Sequence, residues 1–137
     1  MVKEKNKKTE KTKVLFTPIT KVWEDEDEVG RVVFLPDVEV TVDGAKKHFE
    51  ACEKLAKGKR HPVLVDLRNI KSVDHQARKY LAGDVATKLT KASAVLVGSP
   101  VSRVIGNFFI GLNKPPYPIK LFTSEPEAME WLRRFPE

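Results

Sequence analysis

Between Pro62 and Leu112 the chain alternates between two hydrophobic periods with almost nothing in between. Val63–Leu67 and Ala94–Val97 are short apolar runs rich in β-branched residues, the pattern of strands buried on both faces. Between them Ala77, Leu81, Val85 and Leu89 recur at four-residue steps, the period of a helix face. A second helical stretch opens at Pro100. Strand, helix, strand, helix at this spacing predicts parallel strands joined by crossover helices. The same stretch says little about chemistry. It holds no metal-ligand cluster, no nucleophile elbow and no phosphate loop.

A chain of 137 residues is one domain with a single core, and 41% hydrophobic against 32% charged residues is a globular composition. The lone Cys52 permits no internal disulfide and points to a reducing, cytoplasmic setting. No apolar run approaches the ~20 residues that a membrane helix needs. The lysine-rich start has no apolar stretch behind it and does not read as a secretory signal.

A net charge of +6 suggests nucleic acid, but its distribution does not. Residues 1–13 carry six lysines and two glutamates, which leaves only +2 on the other 124 residues. Residues 1–17 therefore read as a disordered basic tail and residues 18–137 as the domain. Such a tail attracts phosphates in a salt-sensitive, non-specific way. A solubilising or appended tail is its simpler reading, and no specific nucleic-acid partner is expected.

Ile19–Trp23 and Arg31–Leu35 read as a β-hairpin around the acidic run Glu24–Glu28. That run lacks the alternating ligands and glycine hinge of a calcium loop and reads as a solvated tip. Val42, Ala45, Phe49, Cys52 and Ala56 make one helix face, and Gly58 ends it. Ser72 or Asp74 can cap the next helix. Ser99 can cap the one after it, with Pro100 in the first turn. Ile119–Phe122 is the last strand, and Ser124-Glu125-Pro126-Glu127 is a capping box into Ala128, Trp131, Leu132 and Phe135. The expected fold is α/β: one domain, with a mixed sheet of about five strands and about four helices. An N-terminal antiparallel hairpin joins a parallel βαβαβ unit.

In this order of elements Ile19–Phe135 resembles a STAS domain, the anti-sigma-factor-antagonist fold, in an uncharacterised bacterial branch. It also resembles the CRAL-TRIO lipid-binding type. The best-matched segment is Val65–Ala77, where a strand ending Asp-Leu leads through an apolar position to Asp-Ser-Ser-Gly in the family. Asp66, Leu67, Ile70, Val73 and Asp74 fit. His75 and Gln76 stand where the family has two serines, and Ala77 where it has glycine. The resemblance implies a regulatory or protein-binding role. The family's phosphorylation switch is not carried over, because neither substituted residue bears a hydroxyl.

Parallel strands direct their C-terminal ends to one rim, where ligands commonly sit. The candidates there are Arg68, Ser72, Asp74, His75, Ser99, Ser102 and Arg103. The helix start at Ser99-Pro100 could receive an anionic group. The plainer alternative has Ser99 capping, Ser102 facing water and Arg103 paired with an acid. A hydrolytic triad of Ser99, His75 and Asp66 or Asp74 ranks third, since Pro100 removes a backbone donor that an oxyanion would need. Asp66 reads better as an acceptor for nearby backbone N–H groups. His48, His61 and His75 are scattered, so no metal site is expected, and no cofactor. Cys52 reads as a small buried hydrophobe.

Val101, Val104, Ile105, Phe108, Phe109 and Leu112 spread over a wide helical arc, with Ile110 opposite. One sheet needs a stripe only about 100° wide. The surplus marks Phe109 and Ile110 as interface candidates, with burial under the Lys114–Tyr117 loop as the alternative. The leading expectation is a non-enzymatic regulatory or protein-interaction module, acting as a homo-oligomer or on another protein. A binder of a small anion or lipid at the strand-end rim is second, and a hydrolase-like enzyme third.

Overall fold

A computed structural model describes residues 13–113 and 116–136. Among the described residues there are eight strands: β1 (Leu15–Phe16), β2 (Thr20–Glu24), β3 (Gly30–Phe34), β4 (Glu39–Val40), β5 (His61–Asp66), β6 (Ser72–Val73), β7 (Thr90–Leu96) and β8 (Ile119–Phe122). The helices are α1 (Val42–Ala56), α2 (His75–Leu81), α3 (Asp84–Leu89), α4 (Pro100–Asn113) and α5 (Glu125–Leu132). Six strands form one mixed sheet in the order β1-β2-β3-β5-β7-β8. β1, β2 and β3 pair antiparallel, and β3, β5, β7 and β8 run parallel. β4 and β6 pair separately in a two-stranded parallel ladder.

The α/β class and the hairpin-plus-parallel arrangement are as expected, and three details are corrected. The main sheet has six strands rather than about five, because Leu15 and Phe16, assigned to the tail, form an edge strand against Val22 and Lys21. The remaining tail residues up to 12 lie outside the described residues. The single helix expected over Ala77–Leu89 is two: α2 ends at Leu81 with Ala82 as its cap, and α3 starts after Gly83, whose N–H bonds to the Tyr80 carbonyl at 3.1 Å. The separate β4–β6 pair was not anticipated, since two residues per strand carry no readable alternation.

Residue alternation along the central strands divides the core. Val63 and Val65 of β5 and Val95 of β7 face α1, α2 and α4, with Val22, Val32, Phe34, Leu67 and Ile105. Leu64, Ala92, Ala94 and Leu96 face the other way onto Ala128 and Leu132 of α5. The small side chains of β7 let α5 lie close. Pro62 lies in a central strand, where its missing N–H would break the ladder, and the β5–β7 register shifts at His61/Pro62.

Helix α4 is turned relative to its apolar pattern. Ser102, Ile105 and Gly106 are buried, while Val101 is 44% and Val104 63% exposed. A Cβ on Gly106 would stand 2.8 Å from Leu121 and 3.1 Å from Val97, so this glycine sets the contact with the sheet. Two small residues, rather than the valines, define the inward stripe.

Candidate functional site

The strand-end rim begins at Asp66. Its carboxylate accepts from the Arg68 amide at 2.9 Å and from the Arg68 guanidinium through Nε at 3.0 Å and Nη2 at 2.8 Å. The pair holds the guanidinium firmly charged, chiefly through that side-chain bond. The Arg68 methylenes lie over Gly98, where a Cβ would come within 3.2 Å. Asp66 thus accepts a backbone N–H, as its position at the end of a strand suggested.

Beside this pair, Ser99 and Ser102 close the start of α4. The Ser102 hydroxyl oxygen takes the Gly98 and Ser99 amides, each at 2.9 Å, and donates to the Ser99 carbonyl at 3.0 Å. The Ser99 hydroxyl receives the Ser102 amide at 3.0 Å. Ser99 caps the helix as read from sequence. Ser102 does not face water: it is 0% exposed. The Gly98 and Ser99 amides, the donors offered to an anion, already have an acceptor inside the protein. Arg103 is exposed on the next turn.

The other rim candidates stand together at the start of α2. Ser72 lies in β6 opposite Glu39, and Ser72 and Asp74 are exposed. Asp74 caps α2 by accepting the Gln76 amide at 2.8 Å. His75 opens the helix and is exposed. Among the described residues no hydrogen bond or ion pair joins His75 to Ser99, Asp66 or Asp74, so the paper triad is not assembled. The two groups are linked indirectly. Arg78 of α2 lies 4.9 Å from the ring of Phe108 on α4.

Of the two interface candidates, Phe109 packs against the main core and Ile110 is half-buried. The outward apolar residues of α4 are instead Val101 and Val104, with Phe108 half-buried beside them. The side chain of Leu112 lies outside what is described.

Sequence reasoning missed a cavity of about 150 Å³ between the sheet and helices α1 to α4. It is walled mainly by Val32, Phe34, Phe49, Leu55, Val63 and Val65, with Phe109 closing one side. Its polar lining (Glu24, Arg31, His61, Thr90 and Tyr117) sits where the parallel strands start, at the opposite end from the rim. No local motif encodes such a space. It results from the separation of β2, β5 and α1 in sequence.

His48 stands in the cavity wall. Its Nδ1 is 2.8 Å from the Thr20 hydroxyl, and its Nε2 is 3.5 Å from the Cys52 sulfur. Burial lowers its pKa to about 4, so the ring is neutral at neutral pH. Burial, helped by Glu53, raises the Cys52 thiol to about 12. That is a poor nucleophile, and Cys52 behaves as the small hydrophobe expected. Burial also raises Tyr117.

At the hairpin end, ligand atoms of Glu24, Glu28 and His61 lie within 4.8 Å of one another. This grouping could gather a cation. Sequence did not suggest it, because His61 comes from a different strand, 33 residues beyond Glu28. The ring already has neighbours: Nδ1 is 3.3 Å from the Glu28 carbonyl, and Nε2 is 3.2 Å from that of Ala56. Asp25 organises the tip, accepting the Asp27 and Val29 amides and the Arg31 guanidinium.

Residues 22–136 match the family described as a domain of unknown function, DUF7793. The chain belongs to the DUF7793 family. No curated protein matches it. Among solved structures it is similar to an uncharacterised DUF3478-family protein with a SpoIIAA-like fold from Shewanella loihica. The TM-score is 0.63 at 15% identity, covering 86% of this chain and 96% of that one. An anti-sigma factor antagonist from Mycobacterium paratuberculosis gives a TM-score of 0.61 at 24% identity, covering 83% and 92%. A protein of unknown function from an Arthrobacter species is 31% identical over 81% and 90%, with a TM-score of 0.32. This DUF7793 domain therefore has the STAS-like, SpoIIAA-like fold. The CRAL-TRIO likeness is not shown by these neighbours. Among the described residues no helix is long and apolar enough to cross a membrane.

Proposed function

We propose that this DUF7793 domain is a non-enzymatic, cytoplasmic regulatory module that works through protein contact, without the serine switch of the antagonists it resembles. The fold supports a regulatory or interaction role at family level. The observation that carries the reading here is the outer face of α4. Val101 and Val104 are exposed on a helix with no charged residue but Arg103. Phe108 continues that face to Arg78, and so to the start of α2, where His75 and Gln76 replace hydroxyl residues. An apolar ridge beside a polar helix start suits a protein partner. A second copy of the chain is the partner put forward, with Ile110 at the edge of the contact.

Light scattering over a concentration series tests it. Wild type should exceed monomer mass at high micromolar concentration. Val101→Ser with Val104→Ser should return the mass to monomer while the melting temperature changes little. A wild type that stays monomeric defeats the homo-oligomer. Incubation with anti-sigma kinases should leave no phosphate at positions 75 and 76. Stoichiometric phosphate on Ser72 would mean that the switch has moved and would overturn the absence of a switch.

A further inference from the structure

We infer that the cavity beneath the sheet is a binding site for a small uncharged molecule, a ring or short alkyl body bearing at most a hydroxyl. The inference is independent of the α4 ridge, which lies on the outer surface. Size comes first. A cavity of about 150 Å³, walled mainly by aliphatic and aromatic side chains with polar groups at one end, has room for a molecule about the size of benzene. Among the described residues no fully buried side-chain nitrogen or oxygen lacks a partner, so the polar groups packed behind the wall are already satisfied. His48 is held by Thr20, and its other nitrogen faces only the Cys52 sulfur.

Charge then selects the occupant. The polar end is bordered by Glu24 and, next to His61, by Glu28. Its guanidinium, Arg31, is already engaged by Asp25 at 3.0 Å and Glu125 at 2.6 Å. A carboxylate or phosphate head arriving there would face the Glu24 carboxylate, with Glu28 close behind it, and a cation whose charge is already matched. A hydroxyl would find acceptors and the side chains of Thr90 and Tyr117. The site thus excludes anions, in contrast to the anion-binding role considered for the strand-end rim.

The test uses two probes of matched size, benzyl alcohol and benzoate, titrated into the full chain and followed by methyl NMR. Benzyl alcohol should give saturable shifts at the Val63, Val65 and Leu55 methyls and raise the melting temperature. Benzoate should bind at least ~10-fold more weakly, because its charge would be buried unpaired. Two independent substitutions should fill the space, Ala86→Leu on α3 and Cys52→Leu on α1. Each should abolish the methyl shifts in a protein that still melts cooperatively. If one fails to fold, the other and the wild-type titration still decide. Absent or non-saturable shifts in wild type, or shifts unchanged in a folded filled variant, would overturn the site. Equal binding of benzoate would overturn its selectivity.

Discussion

Arg68 grips Asp66 through two guanidinium bonds while its methylenes cover Gly98, so one side chain closes the rim between the ends of β5 and β7. The contact restrains the turn rather than anchoring the fold, for the Arg68 side chain is exposed and the mostly buried Asp66 carboxylate keeps the Arg68 amide as a partner. Arg68→Ala should therefore cost no more than about 1 kcal/mol in urea denaturation. Gly98→Ala should be similarly mild, since the neighbour at 3.2 Å is a flexible side chain. Gly106→Ala is the informative contrast. Its Cβ would meet Leu121 at 2.8 Å and Val97 at 3.1 Å inside the packed layer. A loss of roughly 1–3 kcal/mol is expected there. Equal costs at positions 98 and 106 would refute this account of how α4 seats.

The two serines of the α4 start should separate cleanly. Ser102 is fully buried, and its oxygen serves the Gly98 and Ser99 amides. Ser102→Ala removes the acceptor of two amides and the hydroxyl that bonds back to the Ser99 carbonyl at a fully buried position, and should cost about 1–2 kcal/mol, partly offset because Gly98 is exposed. Ser99→Ala removes a cap that water can partly replace and should cost about 1 kcal/mol. Thermal melts of the two single variants provide the comparison.

These serines show what could be read from the sequence and what could not. Ser99 before Pro100 is a local signal, and the cap forms where that signal lies. The inward role of Gly106 depends on how close the helix comes to Leu121 of β8, which follows it by fifteen residues, and Ser102 turns inward with it. Hydrophobic periodicity therefore turned α4 onto its valines. The parallel strands were legible because they are buried on both faces and need no partner information. The cavity was not, since its walls come from β2, β3, β5, α1 and α4 and no single segment carries its shape.

His48 makes stability depend on pH. Folded, its pKa is lowered to about 4 by burial, whereas an unfolded histidine titrates near 6.5. Between these values the unfolded chain takes up a proton that the native protein refuses. The contribution is whole above about pH 6.5 and is lost as pH falls toward 4, by roughly 3 kcal/mol at the limit. Urea midpoints measured from pH 7.5 to 4 should decline for wild type. His48→Phe, placed among Phe34 and Phe49, should flatten that part of the decline. An identical slope in the variant would assign the acid sensitivity to other groups.

Cys52 offers a chemical readout of the same region. Its thiol is raised to about 12, so almost no thiolate exists at pH 8. Iodoacetamide should label it far more slowly in the native protein than in urea, by at least ~100-fold, because the thiolate is the reactive form. Rapid native labelling would show that α1 opens readily over the cavity.

Adjacent phenylalanines on α4 should behave oppositely. Phe109 packs into the core and walls the cavity, so its removal enlarges a space that is already unfilled. Phe109→Ala should cost roughly 2–4 kcal/mol, and the folded fraction that remains should bind benzyl alcohol with altered shifts. Phe108 is half-buried, edge-on to Phe109 and covered by Arg78. Phe108→Ala forfeits a cation–π contact and partial burial, about 1–2 kcal/mol in all. Its larger effect should be on association, since it removes the link between the Val101–Val104 ridge and the start of α2. Melting curves and light scattering on both variants check the two halves of this claim. A Phe108 variant that is more destabilised than the Phe109 variant would mean that α4 presents the other face to the sheet. The ridge would then no longer be available to a second copy.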